Sequence, residues 1–136
     1  MTHPSWALQK AVYEVLNADG ALMAMLAGDG IYDVPPQSAS YPYLVLGQVT
    51  STDRAIPIDE GSELRIVLSV WSRNEGKKEV LEISARVIDL LHDAALTLTN
   101  HTLINLRLVS QETAVARDRR SVATQLRFRA VTEPIL

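Results

Sequence analysis

The sequence predicts an α+β domain, with an antiparallel-rich four-stranded sheet and, packed on one face of it, a long helix and an N-terminal helical hairpin. Three observations carry this reading. Residues 64–73, LRIVLSVWSR, place apolar groups at every second position, and four residues later KKEVLEISARVIDLLHDAAL spaces them every three to four. Two strand-like segments come before or at this junction and two follow the helix, giving the order α, α, β, β, α, β, β. The 136 residues suffice for a single domain spanning 1–136. A chain of that size buries roughly two-thirds of its unfolded surface, enough for a core without disulfide or metal.

The elements follow in chain order. Residues 4–16 set Trp6, Leu8, Ala11, Val12, Val15 and Leu16 at helical spacing, with Ser5 as a cap, and Asn17-Ala18-Asp19-Gly20 is a stop signal. Residues 21–26 form a short apolar turn of helix ended by Gly28-Asp29-Gly30, which completes the hairpin. Residues 31–40, with Pro35-Pro36, read as an extended crossing segment. Residues 41–50, YPYLVLGQVT, are strand-like, with Pro42 confined to the start or an edge and Gly47 marking a bulge or a close approach.

A polar loop is expected over residues 51–63, then the second strand over 64–72, and Asn74-Glu75-Gly76 breaks it. The longest helix is expected over 77–96, with Val80, Ile83, Val87, Leu90, Leu91 and Ala94 as its apolar stripe and Glu82 paired to Arg86 on its outer side. A third strand over 103–110, a second polar loop over 111–120 and a last strand over 121–132 complete the chain. That last strand turns Val122, Thr124, Leu126, Phe128 and Ala130 to one face and Gln125, Arg127 and Arg129 to the other.

Composition narrows the function classes. Hydrophobic residues make up 47% and charged residues 21%, too apolar for a disordered chain. The absence of cysteine excludes disulfides, thiolate nucleophiles and Cys-ligated metals. A net charge of -3 argues against a generally nucleic-acid-binding surface, while leaving room for a local basic loop. No apolar run approaches the length of a bilayer span, and the first residues lack the basic start and cleavage site of a signal peptide, so assembly in the cytoplasm is expected.

Catalytic patterns fail when tested one by one. His3, His92 and His101 are the three histidines, and only His92, beside Asp93, has a near acidic neighbour; adjacent helix residues point apart, so a helix-end histidine facing the carbonyl dipole is the plainer reading. A GxSxG signature is absent. NEGKKE has a Gly-Lys before a helix but one glycine and no Ser or Thr after the lysine, so it lacks the groups that cradle phosphate and hold the metal. No enzyme, cofactor or metal site is therefore expected.

Interaction patterns hold up better. Arg117, Arg119 and Arg120 put three cations on one loop around Asp118, and with Arg127 and Arg129 form the most basic region; the plain alternative is a solvated loop. The other loop carries Asp53, Arg54, Asp59, Glu60 and Glu63, and acidic and basic loops on one domain can meet between identical subunits. In the second strand Leu64, Ile66, Leu68 and Val70 face the helix, while Arg65, Val67, Ser69 and Trp71 face away. A solvated face is usually polar throughout, so Val67 and Trp71 point to cover from a neighbour.

The order of these segments resembles a known family. IYDVP at 31–35, YPYLVLG at 41–47, VWSR at 70–73 with the helix after it, and RFRA at 127–130 together resemble the tail-completion, or tail-terminator, proteins of long-tailed phages and gene transfer agents. The similarity covers nearly the whole chain, apart from the loops at 51–63 and 111–120. It implies a non-enzymatic particle protein that forms a ring, usually of six copies. Such a ring caps the tail tube, meets the head-side connector or stopper protein, and lets DNA pass without sequence-specific binding. The expected subunit or partner contacts are Val67, Trp71, Asp53, Arg54, Asp59, Glu60, Arg117, Arg119 and Arg120. Another neck component, a minor tail-tube protein and, more distantly, a small-molecule binding module are the alternatives.

Overall fold

The computed structural model describes residues 3–53, 61–74 and 76–135. Two helices, α1 (Pro4–Asn17) and α2 (Gly20–Met25), precede β1 (Ile31–Tyr32), β2 (Tyr43–Asp53) and β3 (Ser62–Ser72). The helix α3 (Lys78–Leu91) follows, and then β4 (Thr97–Leu98), β5 (His101–Val115) and β6 (Val122–Pro134). The sheet has six strands in the order β1-β2-β3-β6-β5-β4, not four. The four long strands are the expected ones and pair antiparallel throughout, and β1 joins β2 in parallel at one edge. The two additional strands are two residues each, too short to carry a period in the sequence.

The helices lie on one face because one face of each long strand is apolar. Val80, Ile83, Val87 and Leu91 of α3 are buried together with Leu64, Ile66, Leu68 and Val70 of β3 and Leu126, Phe128 and Ala130 of β6. Alternation on the strands and a stripe on the helix thus meet as the sequence requires. On the β2 side, α1 supplies Ala7, Leu8, Ala11, Val12 and Leu16. Trp6, expected in that stripe, lies outside it and is 56% exposed.

Several boundaries differ from the sequence reading, each for a local reason. His3, rather than Ser5, caps α1: its Nδ1 accepts from the Ser5 amide at 3.1 Å, ahead of Pro4 in the first turn. The helix α3 stops at Leu91 instead of 96, because Asp93 takes a left-handed φ of 58° and its amide donates to the Leu106 carbonyl at 2.8 Å. His92 turns with it, and its Nδ1 accepts from the Leu108 amide at 3.0 Å, so its ring faces the edge of β5 instead of the helix carbonyls. Ala94 consequently lies beyond the helix.

Arg86 also finds a different partner from the expected Glu82. Its Nε and Nη2 donate to the two oxygens of Asp19 at 2.9 and 2.6 Å, a fork on a carboxylate that also caps α2 through the Leu22 amide at 2.9 Å. One acidic residue thereby fixes the start of α2 against the side of α3. The helix-surface pair is instead Lys78–Glu82, at 3.9 Å.

Both polar loops are shorter than expected, because their flanks continue as ladder. Pairing runs on from Thr50↔Arg65 to Asp53↔Ser62, so the β2–β3 connection shrinks to residues 54–61. Residues 111–115 pair with β6 as far as Val115↔Val122, leaving 116–121 as the turn. Gly47 sits at a register break between Leu46 and Val49, and a Cβ there would lie 2.9 Å from the Val67 carbonyl oxygen, so bulge and close approach coincide. Pro42, after a cis bond, immediately precedes β2, as its missing N–H demands.

Candidate interaction surface

The face of the sheet turned away from the helices carries the candidate residues. Trp71 of β3 is half-buried there and lies beside Tyr43 of β2, its register partner, with ring centroids 6.5 Å apart and planes within 17°. Tyr41 packs on Tyr43 at 4.9 Å and Tyr32 meets its edge at 6.0 Å. The guanidinium of Arg73 lies 4.3 Å from the centre of the Tyr41 ring, within cation–π range. Burial first, and Tyr41 second, push the Tyr43 phenol up to about 12, so it stays a neutral donor.

Further along the same face the chemistry becomes ionic. Arg65, Arg129 and Arg107 stand in one register row across three strands. Glu63 accepts from Arg129 Nε at 2.6 Å and from Arg65 Nη2 at 3.1 Å, and these bonds, Arg129's first, lower its carboxyl below the usual range. Val67 is half-buried between the aromatic and ionic ends. It lines a shallow hollow of about 180 Å³ with Arg65, Arg127 and Val109, and Val109 is the residue passed over at a bulge in β5.

The expected basic region divides in two. Arg127 and Arg129 belong to the sheet face, whereas Arg117, Arg119 and Arg120 are exposed on the 116–121 turn. Within that turn Asp118 accepts from the amides of Arg120 and Ser121, both at 2.9 Å, and from the Ser121 hydroxyl at 2.8 Å, which hold its carboxyl down to about 2. Arg73 reaches across to Asp118 at 3.6 Å and donates to Ser121 Oγ at 3.2 Å. A single arginine thus joins the aromatic group to the basic turn.

The acidic connection lies at the opposite end of the sheet. Asp53 pairs with Ser62, and Ser62 with Thr132, while the basic end is marked by Ser72↔Val122. Arg54, Asp59 and Glu60 lie outside the described residues. The described flanks of the two charged connections thus stand at opposite ends of the sheet. Tyr41, Tyr43 and Arg73 are site residues that sequence reasoning missed, although YPY sets Tyr41 two residues from Tyr43 and VWSR sets Arg73 two residues from Trp71, whose strand already had its other face assigned to the core.

A second hollow, of about 310 Å³, lies between α1 and β1. Trp6, Tyr13, Tyr32, Ile31 and Leu46 line it, with Gln9, Lys10 and Asp33 also present. Among the described residues no group of three or more His, Cys, Asp or Glu could hold a metal ion, and no helix is long and apolar enough to cross a membrane. His92 Nε2 approaches Asp93 at 3.4 Å, and Arg107 Nε of β5 reaches the same carboxylate at 3.4 Å, so Asp93 and Arg107 form an exposed ion pair beside the imidazole.

The fold and this face can be set beside known proteins. The family model described as tail completion protein gp17 matches residues 10–133. The chain belongs to the tail completion protein gp17 family. A relative, the tail completion protein gp17 of Bacillus phage SPP1, is 30% identical over 105 residues, 77% of this chain and 76% of that protein. A chain in the virion of a native gene transfer agent particle superposes with a TM-score of 0.87 at 30% identity, covering 97% of this chain and 99% of that one. Tail completion proteins are structural parts of a phage tail, so this chain is a structural protein of a virion or phage-like particle and works among other particle proteins. The family is one of structural proteins, which favours a non-enzymatic role.

Proposed function

We propose that the chain forms a ring, of six copies, that caps the finished tail tube and offers the surface on which the head-side connector or stopper protein joins the tail, with DNA passing through the middle. The observation that carries this reading is the sheet face opposite the helices. Trp71, Tyr43, Tyr41 and Val67 form an apolar patch flanked by arginines, the composition favoured at the centre of protein interfaces. A structural tail protein needs such a surface for its neighbours. In this reading Val67 and Trp71 are buried at the subunit contact, and the charged connections engage the adjacent copy, the tube or the connector.

The test is light scattering over a wide concentration range, followed by electron microscopy of the protein mixed with isolated tail tubes. Rings alone, or rings seated on tube ends, are the expected result. A monomer at every concentration that leaves tube ends bare would sink the ring and send the search to the connector side of the neck.

A further inference from the structure

The 116–121 turn and the connection from β3 to α3, distant in sequence, build one cationic hollow. Arg73, Lys77, Arg119 and Arg120 line a space of about 450 Å³ together with the apolar Val115 and Val122. Among the described residues its lining contains no carboxylate. Asp118, close by, is already occupied by two amides, a hydroxyl and Arg73. The hollow opens at the start of α3, where Lys77 makes no side-chain cap and Glu79, in the first turn, accepts from Ser72 and Asn74. Through Arg73 it is continuous with Tyr41, Tyr43 and Trp71.

We infer that this end of the sheet receives the acidic β2–β3 hairpin of a second copy. The inference rests on the ring reading and names the contact that would build the ring. Between positions 53 and 63 the sequence is DRAIPIDEGSE, which carries Asp53, Asp59 and Glu60 against the single Arg54, with Ile56 and Ile58 among them, while Glu63 is already held by Arg129 and Arg65. These carboxylates match Lys77, Arg119 and Arg120, since Arg73 is engaged by Asp118 and Tyr41, and the isoleucines match the aromatic group beside them. Docking within one copy is ruled out by length: the hairpin leaves β3 at Ser62 and the hollow begins beyond Ser72, about 33 Å away along an extended strand. A surface at one end of the molecule complementary to the other end makes a head-to-tail contact, which gives a ring where the rotation between copies closes. Duplex DNA fits less well, because the cations converge on a concavity instead of tracking a line, and the chain carries a net charge of -3.

The lack of cysteine makes the test clean. A chain carrying both Lys77→Cys and Glu60→Cys, mildly oxidised while assembled, is expected to give a ladder of covalent oligomers beyond the dimer, and neither single variant should. In parallel, Lys77→Glu with Arg120→Glu should weaken self-association by about tenfold or more, and mixing that protein with Asp59→Lys/Glu60→Lys should restore it. All four positions avoid the turn-holding Arg73 and Asp118. If the wild type assembles but the double-cysteine chain gives no ladder and the reversed charges leave assembly unchanged, the hairpin contact is wrong while the ring stands. A wild type that never assembles, even on tubes, removes the ring and this contact with it. Loss of affinity for a short duplex DNA in the reversed variant, with assembly intact, would assign the hollow to a polyanion and overturn the proposal.

Discussion

Asp19 and Trp71 illustrate two ways in which one side chain decides something beyond its own neighbourhood. The Asp19 carboxyl is lowered from 3.8 to about 2, chiefly by the Arg86 hydrogen bond and then by the Leu22 amide. A depressed folded-state value means that the ionised form stabilises the fold above the unfolded value and that this is lost as pH falls through the folded one. Asp118, held at about 2 by its turn, adds in the same direction. Thermal unfolding should therefore be insensitive to pH near neutrality and fall in the window from about 4 to about 2. Asp19→Asn should flatten that fall; an unchanged acid profile would remove the pair from the account. For Trp71, the expected outcome of Trp71→Ala is a chain that melts close to the wild type but assembles at least about tenfold more weakly, as at an interface hot spot. A variant that unfolds outright would return Trp71 to the core.

At the scale of elements, the strands were the most legible part and their ends the least. The alternation of Leu64, Ile66, Leu68 and Val70 in LRIVLSVWSR gave both the strand and its buried face, because a period of two admits no other arrangement against one apolar layer. The outer half of β5 has no such signal: Gln111, Thr113 and Val115 continue its ladder with little burial, held by backbone pairing and the 2.7 Å contact between the Thr113 and Thr124 hydroxyls. Gly47 is where an element meets a steric limit. Gly47→Ala places a methyl group 2.9 Å from the Val67 carbonyl oxygen at the bulge of β2, backbone that cannot swing aside. We expect a loss of about 1–3 kcal/mol in denaturant melts, and a neutral substitution would show that the β2–β3 bulge relaxes freely.

For the whole molecule, the sheet has two different ends and two different faces. One face is closed by α1 and α3, and the other presents aromatic groups at one end and Arg65, Glu63, Arg107 and Arg129 toward the other. Such polarity suits a subunit that contacts its neighbours head to tail. It also makes the mass in solution the most telling property: a step from monomer to one closed size with concentration is expected, whereas an open series of sizes would indicate a contact that fails to close.

By itself the sequence determined the α+β class, the four long strands, the apolar stripe of α3, and the separation of one strand face for the core from another with Val67 and Trp71. These depend on periodicity and on turn residues, both local and both written into the order of side chains. The similarity of its motifs to tail completion proteins also lay in the sequence. Only the tertiary structure decided that Arg86 serves Asp19 instead of Glu82, that His92 caps the edge of β5, and that Arg73 joins Trp71's aromatic neighbours to the 116–121 turn. Those contacts link residues distant along the chain, and the packing of helices on the sheet and of strands beside one another, which brings them within reach, exists only once the whole domain has formed.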